Sequence, residues 1–266
     1  MDIRTQANQP ANCTPAQLDP CQQVNPKFMP TSGYTGGTAG NLTAKSQEPV
    51  FLKSLILGSD QDFVVDDIVL GNQSLNCSDS SIAGSLFKPS SQRKPIIGVA
   101  VDGNIQNTIS VTLDVAGTVN GGYSCEAVDR APSIQAQQLQ LNKYFGMGKV
   151  SVPAAAAGVA GKAQLSAQAL RGNVFLKSLV LQVHGGAPLQ NNIDGLDITI
   201  SDITIKGRSI FTGQSGDTVG SLTIDTFVQA DLVGINTMID TNERVIISLE
   251  NNSGAAVTVS GGFYAQ

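Results

Sequence analysis

The chain contains one histidine, His184, and any Ser–His–Asp or Cys–His device would have to be built around it. It stands in "VHGGAP", at the start of a Gly-rich stretch, and no G-x-S-x-G elbow occurs to mark a nucleophile. An exposed loop histidine is the expectation. A second cluster, "SDQDFVVDD", places Asp60, Asp62, Asp66 and Asp67 close together. Carboxylate oxygens gathered on a turn suit a hard cation, which makes these four residues a weak candidate Ca²⁺ site. The EF-hand spacing is absent, with neither its glycine nor its closing glutamate. Cys13, Cys21, Cys77 and Cys125 show no C-x-x-C spacing; Cys13 and Cys21 could bridge in an oxidising compartment, but reduced, inert thiols are expected. No H-E-x-x-H, Walker-type loop or G-x-G-x-x-G is present. The expectation is a protein that is not an enzyme, with no catalytic or cofactor-binding residue and no small-molecule substrate.

The composition points the same way. Net charge is −5, and Arg93-Lys94 is the longest basic run, so nothing favours direct contact with nucleic acid. Trp is missing and aromatic residues make up 5% of the chain. That is a poor stock of rings for a sugar cleft, a carbohydrate-binding module or stacked bases. No apolar run reaches the length of a membrane-spanning helix. The opening "MDIRTQANQPANCTPAQLDPCQQ" lacks an apolar core, so synthesis in a cytosol is expected. Charged residues are only 14%, and Ser, Thr, Asn, Gln and 28 Gly carry the polarity, as in a strand-and-turn protein with a neutral polar surface.

The elements that must position these residues are written twice. "VFLKSLIL" at 50–57 returns as "VFLKSLVL" at 174–181. Further along, "DIVLGNQSL" (67–75) matches "DITIKGRSI" (202–210), and "GSL" (84–86) matches "GSL" (220–222). "ISVTL" (109–113) is laid on "VIISL" (245–249), and "VNGGYSCEA" (119–127) on "VSGGFYAQ" (259–266). The order never changes. The second copy is stretched by small insertions, mainly "HGGAPLQNNIDG" (184–195). A tandem duplication is therefore expected: an extended N-terminal arm over 1–26, a first β-sandwich over 27–128, a linker over 129–143 and a second β-sandwich over 144–266.

Within each copy the period is two. Ile109, Val111, Leu113 and Val115 alternate with polar residues, as one face of a half-buried strand would. In "LDITISDITIKG" the phase slips at Ser201-Asp202, which predicts a bulge or corner. The octamer alternates less cleanly, as a strand covered on both sides or carrying an end contact would. "GGY" and "GGF" predict a bulge or close backbone approach in the last strand of each copy. Asp67 has a repeat partner in Asp202, which favours a structural turn role over an ion site. The fold class is all-β, with two tandem antiparallel β-sandwiches.

The ordered pieces "NLTA…PVFLKSLIL", "DIVLGNQS", "GSLF", "NTISVTLDVAG" and "GGY", with their second set "QLSA…NVFLKSLVL", "DITIKGRS", "GSLT" and "RVIISLENNSGAAVTVSGGF", resemble the jelly-roll coat proteins of tailless icosahedral bacteriophages. The doubled length is similar to their double jelly-roll major capsid proteins. The resemblance implies a major capsid subunit that forms homotrimeric, pseudo-hexameric capsomers of an icosahedral shell in the virion, after synthesis in the host cytoplasm. The implied partners are further copies of the chain and other virion proteins, with an internal membrane as a contact for the arm. The alternatives are a minor vertex, spike or decoration protein, a bacterial surface or filament-forming β-sandwich protein, and a β-sandwich hydrolase or lectin.

Overall fold

The computed structural model describes residues 26–89, 96–133, 137, 143–184, 198–210, 222–223 and 237–266. Of the arm expected over 1–26, residues 1–25, and with them Cys13 and Cys21, lie outside the described residues, as does most of the 184–195 insertion, and Pro26 opens the first strand.

Ten strands come from the N-terminal half: β1 (Pro26–Pro30), β2 (Tyr34–Thr35), β3 (Ala39–Lys45), β4 (Val50–Ser59), β5 (Phe63–Leu70), β6 (Gln73–Ser74), β7 (Ile82–Ala83), β8 (Ile96–Val101), β9 (Gln106–Leu113) and β10 (Thr118–Ala127). A short 3-10 turn over Gly84–Phe87 follows β7. The C-terminal half contributes β11 (Lys143–Val152), β12 (Gly161–Gln168), β13 (Val174–His184), β14 (Ile198–Ile205), β15 (Arg208–Ser209), β16 (Leu222–Thr223), β17 (Thr237–Ile239), β18 (Arg244–Asn251) and β19 (Val257–Ala265).

These strands form four antiparallel sheets. In the first half one sheet runs β1-β10-β4-β8 and the other β3-β9-β5-β6, with β7 also pairing to β5. In the second half one runs β11-β19-β13-β17 and the other β12-β18-β14-β15, with β16 also pairing to β14. Each half is a β-sandwich. Leu52, Leu55, Leu57 and Tyr123 of one sheet share a buried cluster with Leu42, Phe63, Ile68 and Ile109 of the other. Leu176, Leu179, Leu181 and Phe263 do the same with Leu165, Ile203, Ile205 and Ile247.

The repeated octamer has a local explanation. In β4, Val50, Leu52, Leu55 and Leu57 are buried, so the inward set changes phase at Lys53-Ser54. The β10 ladder shifts there, between Ser124 and Cys125. In β13 the same shift falls between Leu176 and Leu179. A bulge lets two interleaved apolar pairs reach one core and turns a lysine outward. Each bulge lysine then meets the end of the last strand, Lys53 on Glu126 and Lys177 on the Gln266 amide.

The slip predicted at Ser201-Asp202 is a ladder shift between Ile200 and Asp202, and β5 has the matching shift between Val65 and Asp67. Both hairpins then close with two-residue loops. Gly71 takes φ 61° in the first; Lys206 and Gly207 take 55° and 71° in the second. Positive φ at these positions matches the twist of the flanking strands. The Gly pairs do mark a close approach: a Cβ on Gly121 would lie 2.0 Å from the Ile56 carbonyl.

Two expectations change. Val115 is 53% exposed, because β9 ends at Leu113 and the alternation stops with it. The match of Ile109 to Val245 is also displaced. Ile109 sits opposite Leu42 and Ile68, whereas the residue opposite Leu165 and Ile203 is Ile247. The ladder therefore equates Ile109 with Ile247.

Candidate functional site

The four carboxylates of the acidic cluster point to four separate tasks. Asp60 accepts from the Thr118 amide at 2.8 Å. Asp62 accepts from Lys88 Nζ at 2.9 Å and Gln182 Nε2 at 2.8 Å. Asp66 is the extra residue of the β5 bulge and accepts from Thr112 Oγ1 at 2.8 Å. Burial raises its pKa, partly offset by that hydroxyl and by Lys149. Asp67 Oδ1 accepts from the Ile68 amide at 2.8 Å and from Ser74 Oγ at 2.6 Å. Asp202 Oδ1 accepts from Ser209 Oγ at 2.5 Å in the matching hairpin. The turn role expected from the Asp67–Asp202 correspondence is what both side chains do. Calcium needs several oxygens converging on one point, and these four residues do not supply that.

His184 is a correction to the loop reading. It is the last residue of β13, is 6% exposed, and lies in the seam between the two halves. The outward set of β13, Val180, Gln182 and His184, alternates with the inward Leu179 and Leu181. Beside it on β19 lie Ser260 and Tyr264, and on β11 lies Tyr144. The first half covers this face. Tyr144 belongs to the first half's apolar cluster, with Val180 and Tyr264 packed against it. The Phe87 and Tyr144 rings meet edge to face at 5.7 Å. The Tyr144 amide donates to Leu75 O at 2.9 Å, and the Cys77 amide donates to Tyr144 O at 2.8 Å. Residues 75–77 thereby run along the outer side of β11 in place of a further strand.

The polar part of the seam is a chain of bonds crossing from half to half. Asp114 Oδ2 lies 2.5 Å from His184 Nδ1, and His184 Nε2 lies 2.7 Å from Ser260 Oγ. Lys149 Nζ donates to Asp114 Oδ1 at 2.8 Å. Gln182 adds a second crossing: its Oε1 accepts from the Ser85 amide at 2.9 Å, and its Nε2 reaches Asp62. Burial raises the pKa of Asp114, but the bonds and charges of Lys149 and His184 outweigh it and hold the carboxyl below its usual range.

An Asp–His–Ser order is also that of a nucleophile relay. Here Ser260 is 0% exposed, so its hydroxyl faces protein rather than a surface a substrate could reach. Ligand atoms of Asp62, Asp114 and His184 lie within 4.8 Å of one another, the spacing of a small metal centre. The ammonium groups of Lys88 and Lys149 already sit on those two carboxylates. A divalent cation would enter against both positive charges. The arrangement is suited to fastening two sandwiches together: His184 and Gln182 are each answered across the seam, where an unanswered buried polar group would cost about 1–3 kcal/mol.

The thiols are equally quiet. Cys77 and Cys125 are buried and free, and burial pushes Cys77 up to about 12. A protonated, enclosed thiol is a poor nucleophile.

The polar pattern of β13 carried a usable signal, since Gln182 and His184 continue the alternation set by Val180. Asp114 carried none, because its partners His184 and Lys149 come from the other half of the chain, and Ser260 carried none, because it meets His184 only through the pairing of β13 with β19. No protein-family model matches this chain, and no curated protein matches it in sequence.

Proposed function

We propose that the chain is a self-assembling structural subunit, a duplicated double jelly roll that serves as a capsid building block. The observation that carries the reading is the repetition of one strand order. Naming the eight main strands of a jelly roll B to I, its two sheets run B-I-D-G and C-H-E-F. With β1, β3, β4, β5, β7, β8, β9 and β10 in those places, the first half follows that order. With β11, β12, β13, β14, β16, β17, β18 and β19, so does the second. Matching bulges, matching Asp–Ser hairpin closures and matching bulge lysines support descent of both halves from one module, with the sandwich boundaries near 128 and 144.

Two similar lobes per chain lead to a physical consequence. Three chains arranged around a threefold axis present six similar lobes, a unit that tiles a hexagonal lattice without strict sixfold symmetry. A neutral, polar surface limits repulsion between packed copies. The seam spends the chain's one histidine and its best-placed serine on cohesion, which supports a building role over a catalytic one. A virion location, contacts with other virion proteins, and an arm that ties neighbours or meets a membrane belong to this same reading.

Negative-stain imaging of the purified protein tests it. Particles with threefold symmetry and six lobes, or closed shells built from them, are expected. Fields of single two-lobed particles at micromolar concentration would contradict the proposal.

A further inference from the structure

Within one chain, the two halves meet through unlike faces: the outer face of the β11-β19-β13 sheet, and the 75–87 region of the first half. In each face one residue has a counterpart in the other half that is exposed. The register fixes the correspondence. Gly122 pairs with Pro30 and Ser124 with Phe28 in the first half; Gly262 pairs with Gly146 and Tyr264 with Tyr144 in the second. Phe28 therefore occupies the place of Tyr144. Tyr144 is 0% exposed beneath the other half, whereas Phe28 is 58% exposed.

The complementary position is equally well defined. The Leu75 amide donates to Ile68 O at 2.9 Å, and the Ile210 amide donates to Ile203 O at 2.9 Å. Each follows its hairpin and its Asp–Ser closure by one residue. Ile210 therefore occupies the place of Leu75. Leu75 is 0% exposed, with its carbonyl bonded to the Tyr144 amide, and Ile210 is 38% exposed. Beside it is an open depression of about 550 Å³ lined by Ile205, Lys206, Arg208, Ser209, Ile210 and Thr237.

β1 is also an edge strand: among the described residues, β10 is its one strand partner. At β11 the same outer side is taken by residues 75–77. An open strand edge beside an exposed aromatic ring is a surface that folded proteins cover.

We infer that Phe28 and the outer edge of β1 in one chain dock against Ile210 and its flanking depression in a second copy. This contact repeats between chains what Tyr144 and Leu75 make within one. It is head to tail, so Phe28 never faces Phe28, and the ring closes after three copies. The inference rests on the assembly reading above and adds the faces through which assembly occurs.

Cross-linking of two single-site variants tests it. Phe28→Cys and Ile210→Cys are each made with Cys13→Ser and Cys21→Ser, given tags of different size, co-expressed, and treated with a short bis-maleimide. Mass by light scattering is measured on the same sample, and thermal unfolding confirms that each variant folds. The expected product joins one chain of each kind, and neither variant alone yields a dimer. Self-coupling of Phe28→Cys would mean a twofold contact and would overturn the inference. A mass of three chains without the mixed product would overturn it while leaving the assembly reading in place. A monomer mass for the parent protein at micromolar concentration would overturn both. As a second measurement, Phe28→Asp should keep the parent's unfolding midpoint and weaken association at least tenfold; unchanged association would count against the inference.

Discussion

Tyr144→Ala is the most informative single substitution within the chain. The residue is 0% exposed, and its ring meets Phe87 at 5.7 Å and Tyr264 at 5.9 Å. Its two bonds to the 75–77 segment are made by the backbone and survive truncation. The loss is therefore that of a buried aromatic side chain, about 3–5 kcal/mol. Roughly 0.5–1.5 kcal/mol of that belongs to the ring-pair geometry. Set against a total stability of about 5–15 kcal/mol, such a loss is large. Equilibrium unfolding in urea, followed by circular dichroism, measures it. The seam lies between the halves, so the transition should also broaden or divide as they lose mutual support. Phe28→Ala, at the corresponding but exposed position, should cost the isolated chain under about 0.5 kcal/mol. A Tyr144→Ala loss below about 1 kcal/mol, or one equal to that of Phe28→Ala, would refute the claim that this ring fastens the two sandwiches.

Three further outcomes are expected. Asp67→Ala should cost about 1–3 kcal/mol, because it leaves the part-buried Ile68 amide without this acceptor and takes from the Ser74 hydroxyl the shorter of its two bonds, and Asp202→Ala should cost less, since Ser209 is exposed; paired chemical denaturation would show the order. Two carboxylates should act on pH dependence in opposite senses. Asp114, held below its usual range, contributes stability above about pH 4 that is lost as pH falls through its folded pKa, so Asp114→Asn should be less stable at pH 7 and show a shallower acid limb. Asp66 is raised by burial, so its contribution is complete below about pH 4 and lost as pH rises through its folded pKa. Asp66→Asn, which can still accept from Thr112, should therefore be the more stable form at pH 7. Finally, maleimide labelling mapped by mass spectrometry should leave Cys77 and Cys125 unmodified in the native protein and modified in denaturant.

Much of the architecture was legible because similar strand segments recur in the two halves of the sequence. The slip at Ser201-Asp202 and the Asp67–Asp202 match each corresponded to a physical feature, a bulge and a hairpin closure. The octamer's irregular alternation was a bulge as well, which a period-two reading cannot tell from a strand buried on both faces. Ile109 was matched two residues out of place for a definite reason. A one-residue slip turns every side chain to the other face, but a two-residue slip leaves the inward pattern intact. Only the ladder partners, Leu42 with Ile68 and Leu165 with Ile203, reveal it. His184 was misplaced because its burial is supplied by Asp114 of the other half, 70 residues away, while the glycines that follow it favour a loop. Local pattern reports which face of a strand is apolar; it does not report which other sandwich will cover the polar one.

The mass of the purified protein in solution, by light scattering across micromolar concentrations, bears most directly on whether this chain is a building block. Three copies of the 27.6 kDa chain, or a larger closed multiple of that unit, is the predicted value. A single chain mass that persists as concentration rises would contradict the account.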